Sequence, residues 1–142
     1  MRLFSHVDLR VRDRARAKAF YDALFEPLGM TSEVGRTFTA YTIDPDAPEG
    51  QWEWFGFTED PDAAAGAGRI ALYADSRDMV DAVAVTARAA GAGAVEGPAV
   101  VPEYTPSYYA VFFEDPDGNK LEVCCLAPEF REQDEEDETE SE

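Results

Sequence analysis

Apolar and polar residues alternate through His6-Val7-Asp8-Leu9-Arg10-Val11. That period of two predicts a half-buried strand, with Val7, Leu9 and Val11 on one face and His6, Asp8 and Arg10 on the other. From Asp13 to about Phe25 the period changes. Ala17, Phe20, Tyr21 and Leu24 recur at helical spacing, Asp13 is suited to the N-cap, and Pro27 and Gly29 end the helix. The pattern then repeats. Ile70 and Leu72 alternate within residues 69–74. A helix capped by Ser76 or Asp75 runs to about Ala90, with Val80, Val83 and Ala87 on its apolar face and Gly91 at its end.

Shorter strands are expected after each helix, at about 30–34, 37–43 and 51–58 and again at about 93–96, 107–114 and 120–126. Residues 59–68, rich in Asp, Ala and Gly, read as the linker. The chain is thus an α+β protein built as βαβββ twice. The modules cover about 3–58 and 67–127 of a single domain spanning 1–128. Two curved mixed sheets would each bury one face under a helix and turn the other toward a cavity. Parity then sets Arg69, Ala71 and Tyr73 inward in the second half, with Lys120, Glu122 and Cys124 beside them and Leu121 and Val123 in the core. In the last strand of the first half, Glu53 and Phe55 are expected to face inward. Trp52 and Trp54 are expected on the helix side, as core or interface anchors. Pro102 and Pro106 bracket a loop at 97–107 placed either to cover the cavity mouth or to serve as a rigid connector.

Composition adds limits. A chain of 142 residues with 45% apolar residues suits one globular domain. No apolar run approaches the roughly 20 residues of a membrane helix, and the N-terminus lacks a signal-peptide pattern, so a cytoplasmic location is expected. The formal net charge is −18, and residues 129–142, with nine acids and Arg131, carry −8 of it. That segment reads as a disordered acidic tail, and so acidic a body should repel nucleic acid and anionic membranes. Cys124 and Cys125 are adjacent in a strand, point to opposite faces and read as reduced thiols.

His6, Glu53, Arg69 and Glu122 stand at related places in the repeat. One imidazole and two carboxylates would suit a divalent ion, which polarises substrate oxygens while a carboxylate moves a proton. The opening His6-Val-Asp-Leu-Arg-Val-Arg-Asp with Ala19-Phe-Tyr-Asp-Ala-Leu24, and above all Tyr108 to Glu122 with its Asp115-Pro-Asp-Gly turn, resemble vicinal-oxygen-chelate proteins (the glyoxalase, bleomycin-resistance and extradiol-dioxygenase superfamily). The resemblance covers about residues 3–127.

It implies paired βαβββ modules, a homodimer, a small-molecule pocket and metal ligands at His6, Glu53 and Glu122, with Glu122 and Glu53 as proton carriers. The ion would be Fe, Mn, Ni, Co or Zn. Arg69 departs from the pattern, since those proteins usually carry histidine there. A protonated guanidinium cannot ligate a metal and repels one. An equally open expectation is therefore a pocket without metal, in which Arg69 neutralises Glu53 and Glu122 or anchors an anionic group. Tyr73, Tyr104, Tyr108 and Phe55 would then line it as substrate-binding residues. Three readings follow: a metal-assisted lyase, isomerase or dioxygenase; a metal-free protein of sequestration or resistance type; and a structural module with a vestigial pocket.

Overall fold

The computed structural model describes residues 3–126, and the acidic segment at 129–142 lies outside them. The elements in chain order are β1 (His6–Val11), α1 (Arg14–Phe25), β2 (Thr31–Val34), β3 (Phe38–Thr42), β4 (Trp54–Glu59), β5 (Arg69–Tyr73), α2 (Arg77–Ala89), β6 (Gly93–Val100), β7 (Tyr109–Glu114) and β8 (Lys120–Cys125). They form two four-stranded mixed sheets, ordered β1-β4-β3-β2 and β5-β8-β7-β6. The α+β organisation of paired βαβββ modules is therefore present, with sheets that are curved but not closed. β6 runs past the expected 93–96 to Val100, with two shifts of register against β7.

Both helices begin and end for the reasons their sequences give. The Asp13 side chain accepts from the Arg16 amide and the Ser76 side chain from the Met79 amide. Gly29 and Gly91 take positive φ angles of 71° and 94°, which a side chain would resist. At α2 the Gly91 amide donates to the Arg88 carbonyl and the Ala92 amide to the Ala87 carbonyl, closing the helix through a left-handed residue.

The core lies between the helices and one face of each sheet. Tyr21, Phe25, Tyr41, Phe55 and Phe57 make an aromatic cluster under α1, with ring centroids 4.8–6.4 Å apart. Val80, Val83, Val111, Leu121 and Val123 fill the second half. The halves meet where α1 touches α2 and Phe20 lies 6.5 Å from Phe113.

A polar clamp accompanies that contact. Asp115 is buried and accepts from the Tyr21 hydroxyl at 2.6 Å, from the Asn119 side chain, and from the Asp117 and Asn119 amides at 2.9 Å each. Asp117 accepts from the Arg12 amide and ion-pairs with Arg12 and Arg16 at 3.0 and 3.2 Å. The Asp115-Pro-Asp-Gly turn thus fastens the second module to the first.

Burial, then Asp115, raises the Tyr21 pKa well above its ordinary value; burial, then the hydrogen bond to Asp22, raises that of Tyr41. The folded state therefore holds protons that the unfolded chain releases near pH 10. Stability is expected to be intact below about pH 10 and to fall as pH rises from there, by about 1.4 kcal/mol per pH unit for a tyrosine as buried as Tyr21. Urea midpoints between about pH 9 and pH 11 would show it. A flat profile, or a slope that Tyr21→Phe leaves untouched, would refute the assignment.

Candidate functional site

The face of the first sheet turned away from α1 carries a cavity. Because β1 and β4 run parallel with His6 opposite Trp54, Asp8 opposite Gly56 and Arg10 opposite Thr58, those side chains share one face. β3 adds Phe38 opposite Thr58 and Ala40 opposite Gly56, and β2 adds Glu33 opposite Ala40. One row across the sheet therefore reads Glu33, Ala40, Gly56, Asp8. It has carboxylates at both ends and a floor without bulk. A Cβ at Gly56 would lie 2.8 Å from the Thr39 carbonyl oxygen, so this floor position is glycine by necessity of close strand approach.

Aromatic side chains rise along the row, Trp54 on one side and Phe38 on the other. Trp52 joins from the loop, its indole donating to the Ala47 carbonyl at 2.7 Å. Residues 45–47 complete a cavity of about 810 Å³. Phe38 and Trp52, both lining the cavity, are 42% and 52% exposed. The Arg14 guanidinium fixes the turn that presents Phe38, bonding to the Thr39 hydroxyl and to the carbonyls of Gly35, Arg36 and Phe38. Within the cavity wall the Ser5 hydroxyl and His6 Nδ1 are 3.0 Å apart. Asp8 accepts from Thr58 at 3.1 Å and pairs with Arg10 at 2.8 Å, and that hydrogen bond raises the Arg10 pKa.

The corresponding face of the second sheet carries larger side chains at the matching positions. Ala71 lies opposite Glu122, which lies opposite Phe112, so a carboxylate and a ring occupy the places of Gly56 and Ala40. Glu122 is only 4% exposed and accepts a hydrogen bond from the Tyr108 hydroxyl. Burial first, and then hydrogen bonds to Cys124 and Glu122, push the Tyr108 pKa far up; burial also raises the Cys124 thiol. The Arg69 guanidinium stands 4.7 Å over the Phe112 ring, so the proton donor on Glu122 is Tyr108 and not Arg69. Tyr104 packs edge-on against Tyr108 at 5.0 Å, and Tyr73 is exposed on β5.

Two sequence expectations are corrected here. Phe55 does not face the cavity. It is 3% exposed beneath α1, because it pairs with Val7 on the helix side while Trp54 pairs with His6. Trp54 accordingly belongs to the cavity and not to the core. Nor is Glu53 the counterpart of Glu122. His6 and Arg69 each lie seven residues before their helix caps, Asp13 and Ser76, and so are equivalent. Two positions further along, Asp8 faces Gly56 and Ala71 faces Glu122. Gly56 therefore holds the place of Glu122, while Glu53 precedes β4, is exposed, and lends its carbonyl to the Thr42 hydroxyl at 2.9 Å.

Of the four related positions in the repeat, Arg69 and Gly56 bring no donor, and Glu122 is engaged by Tyr108. Among the described residues no three His, Cys, Asp or Glu side chains group to hold a metal. The donor set of this chain does not fit the metal that the resemblance implies.

The signal for the aromatic wall was present in the sequence. Gly56 between Phe55 and Phe57 marks the open face, and the two phenylalanines match the aromatic face of α1. Glu33 and Asp46 carried no pattern that would single them out.

The chain shares its fold with solved structures. A glyoxalase/bleomycin resistance protein from Albidiferax ferrireducens T118 is 27% identical with a TM-score of 0.73, over 89% of this chain and 100% of that one. A family enzyme from Burkholderia phytofirmans PsJN (20% identity, TM-score 0.65) is covered over 98% of its length and 87% of this chain. The fosfomycin resistance protein FosX from Mesorhizobium loti (17%, TM-score 0.62) is likewise covered over 98% of its length and 95% of this chain. No curated protein matches. The family model of the Glyoxalase/Bleomycin resistance protein/Dioxygenase superfamily matches residues 3–123, and the chain belongs to that superfamily.

Proposed function

We propose that this protein binds a small molecule without a metal, as a protein of sequestration or resistance type, and that it acts as a cytoplasmic homodimer. The observation that carries the reading is the pairing of an open, aromatic-walled cavity on the first sheet with Gly56 and Arg69 at two of the four places where a metal-assisted lyase, isomerase or dioxygenase of this superfamily needs donors. Arg69 then serves the second sheet, where Phe112 receives its charge, and lies outside the cavity together with Tyr73, Tyr104 and Tyr108.

The homodimer is supported by the open edges at β1 and β5 and by the exposed side chains of Leu3, Phe4, Ile43 and Val100. The buried free thiols of Cys124 and Cys125 accord with a reducing compartment, and among the described residues no helix is long and apolar enough to cross a membrane.

Thermal unfolding of metal-stripped protein tests the metal-free reading. A specific ion at 100-fold over its Kd would add about 2.7 kcal/mol. Addition of Mn²⁺, Fe²⁺, Ni²⁺, Co²⁺ or Zn²⁺ is expected to leave the midpoint unchanged. A rise that His6→Ala and Glu122→Ala each abolish would return the protein to metal-assisted chemistry. Light scattering should give twice the chain mass of 15.7 kDa, and a monomer would remove the homodimer from the proposal.

A further inference from the structure

We infer that the first-sheet cavity selects an organic cation carrying a flat apolar body, such as a protonated or quaternary amine on an aromatic ring. The inference rests on the small-molecule reading above and assigns its ligand class. The row Glu33, Ala40, Gly56, Asp8 sets two carboxylates three strand spacings apart, roughly 14 Å between backbones, with a shallow floor between them. Asp46 adds a third carboxylate from the loop. Trp54, Phe38 and Trp52 line the same space with aromatic rings. A ring quadrupole presents its negative face to a cation, and the attraction grows as water is excluded.

The charge balance points the same way. No lysine or arginine of the described residues lines the cavity, and its one basic group is His6. Arg10 offsets Asp8 from beside the cavity. Glu33 and Asp46 keep the lining negative. An anionic ligand would meet carboxylates with no lining lysine or arginine to receive it. The chain as a whole carries −18, so a cation also gains from long-range attraction.

Three probes that share one ring separate charge from shape: 2-naphthylmethylammonium, 2-naphthylmethanol and 2-naphthoate, titrated calorimetrically into the full chain. The cation is expected to bind roughly tenfold tighter than the alcohol, and the carboxylate weakest. Added salt should weaken the cation alone. Glu33→Gln with Asp46→Asn should erase most of the cation's advantage and leave the alcohol unchanged, whereas Trp54→Ala should weaken both. If the alcohol or naphthoate binds as tightly as the cation, the ligand class is overturned while the binding reading stands. If none of the three binds, the binding reading falls and the ligand class with it.

Discussion

Asp115→Ala is expected to cost about 3–5 kcal/mol of folding stability, a large share of what a domain of this size possesses. The carboxylate receives the buried Tyr21 hydroxyl, two backbone amides and the Asn119 side chain, so its removal orphans four donors at once. The loss also frees the turn that carries Asp117 into its ion pairs with Arg12 and Arg16. Urea unfolding should show the fall as a shift in midpoint at unchanged slope, and a thermal midpoint lower by roughly 10–20 °C. Tyr21→Phe removes one donor and keeps the ring, so about 1–2 kcal/mol is expected. An Asp115→Ala protein within about 1 kcal/mol of wild type would show that the Asp115 carboxylate is not what holds the halves together.

The neighbouring residues Phe55 and Trp54 should part company when each is replaced by alanine. Phe55 is enclosed by Tyr21 and Phe25, with centroids at 5.4 and 5.2 Å, and its truncation should leave a void and cost about 3–5 kcal/mol. Trp54 is half-buried in the cavity wall. Its truncation should cost about 1 kcal/mol or less of stability and weaken binding of aromatic probes at least tenfold. Paired unfolding and titration experiments would read both. The reverse outcome, with Trp54→Ala unfolding and Phe55→Ala folding normally, would place Trp54 in the core and refute the register of β4 against β1.

Much of this architecture was legible because burial enforces it. Val7, Leu9 and Val11 in β1, and Leu121 and Val123 in β8, alternate against polar neighbours, and one helix lies over each sheet, so parity had a single solution. β4 offered no such contrast. Residues 52–57 are apolar or aromatic at every position except Glu53 and Gly56, and hydrophobicity alone favoured burying the tryptophans. What decided the face was the aromatic complement of α1, where Tyr21 and Phe25 accept Phe55 and Phe57, together with the parallel pairing of β4 with β1. Pairing between strands some 50 residues apart is not written in either strand. The same gap produced the equation of Glu53 with Glu122, which counted carboxylates along the chain where register would have pointed to Gly56. The Asp115-Pro-Asp-Gly turn was the most specific motif in the sequence, and its side chains clamp the two modules together; a motif can be distinctive because the fold requires it.

The clamp at Tyr21, Asp115 and Asp117 and the cavity wall at Phe38, Trp52 and Trp54 have no residue in common. Under the proposed binding function, selection for a ligand and selection for a folded chain therefore act on separate positions. A library randomised at 38, 52 and 54 should retain a high fraction of folded members, which makes the first sheet a scaffold on which recognition can be rewritten while the joint between the halves is left alone.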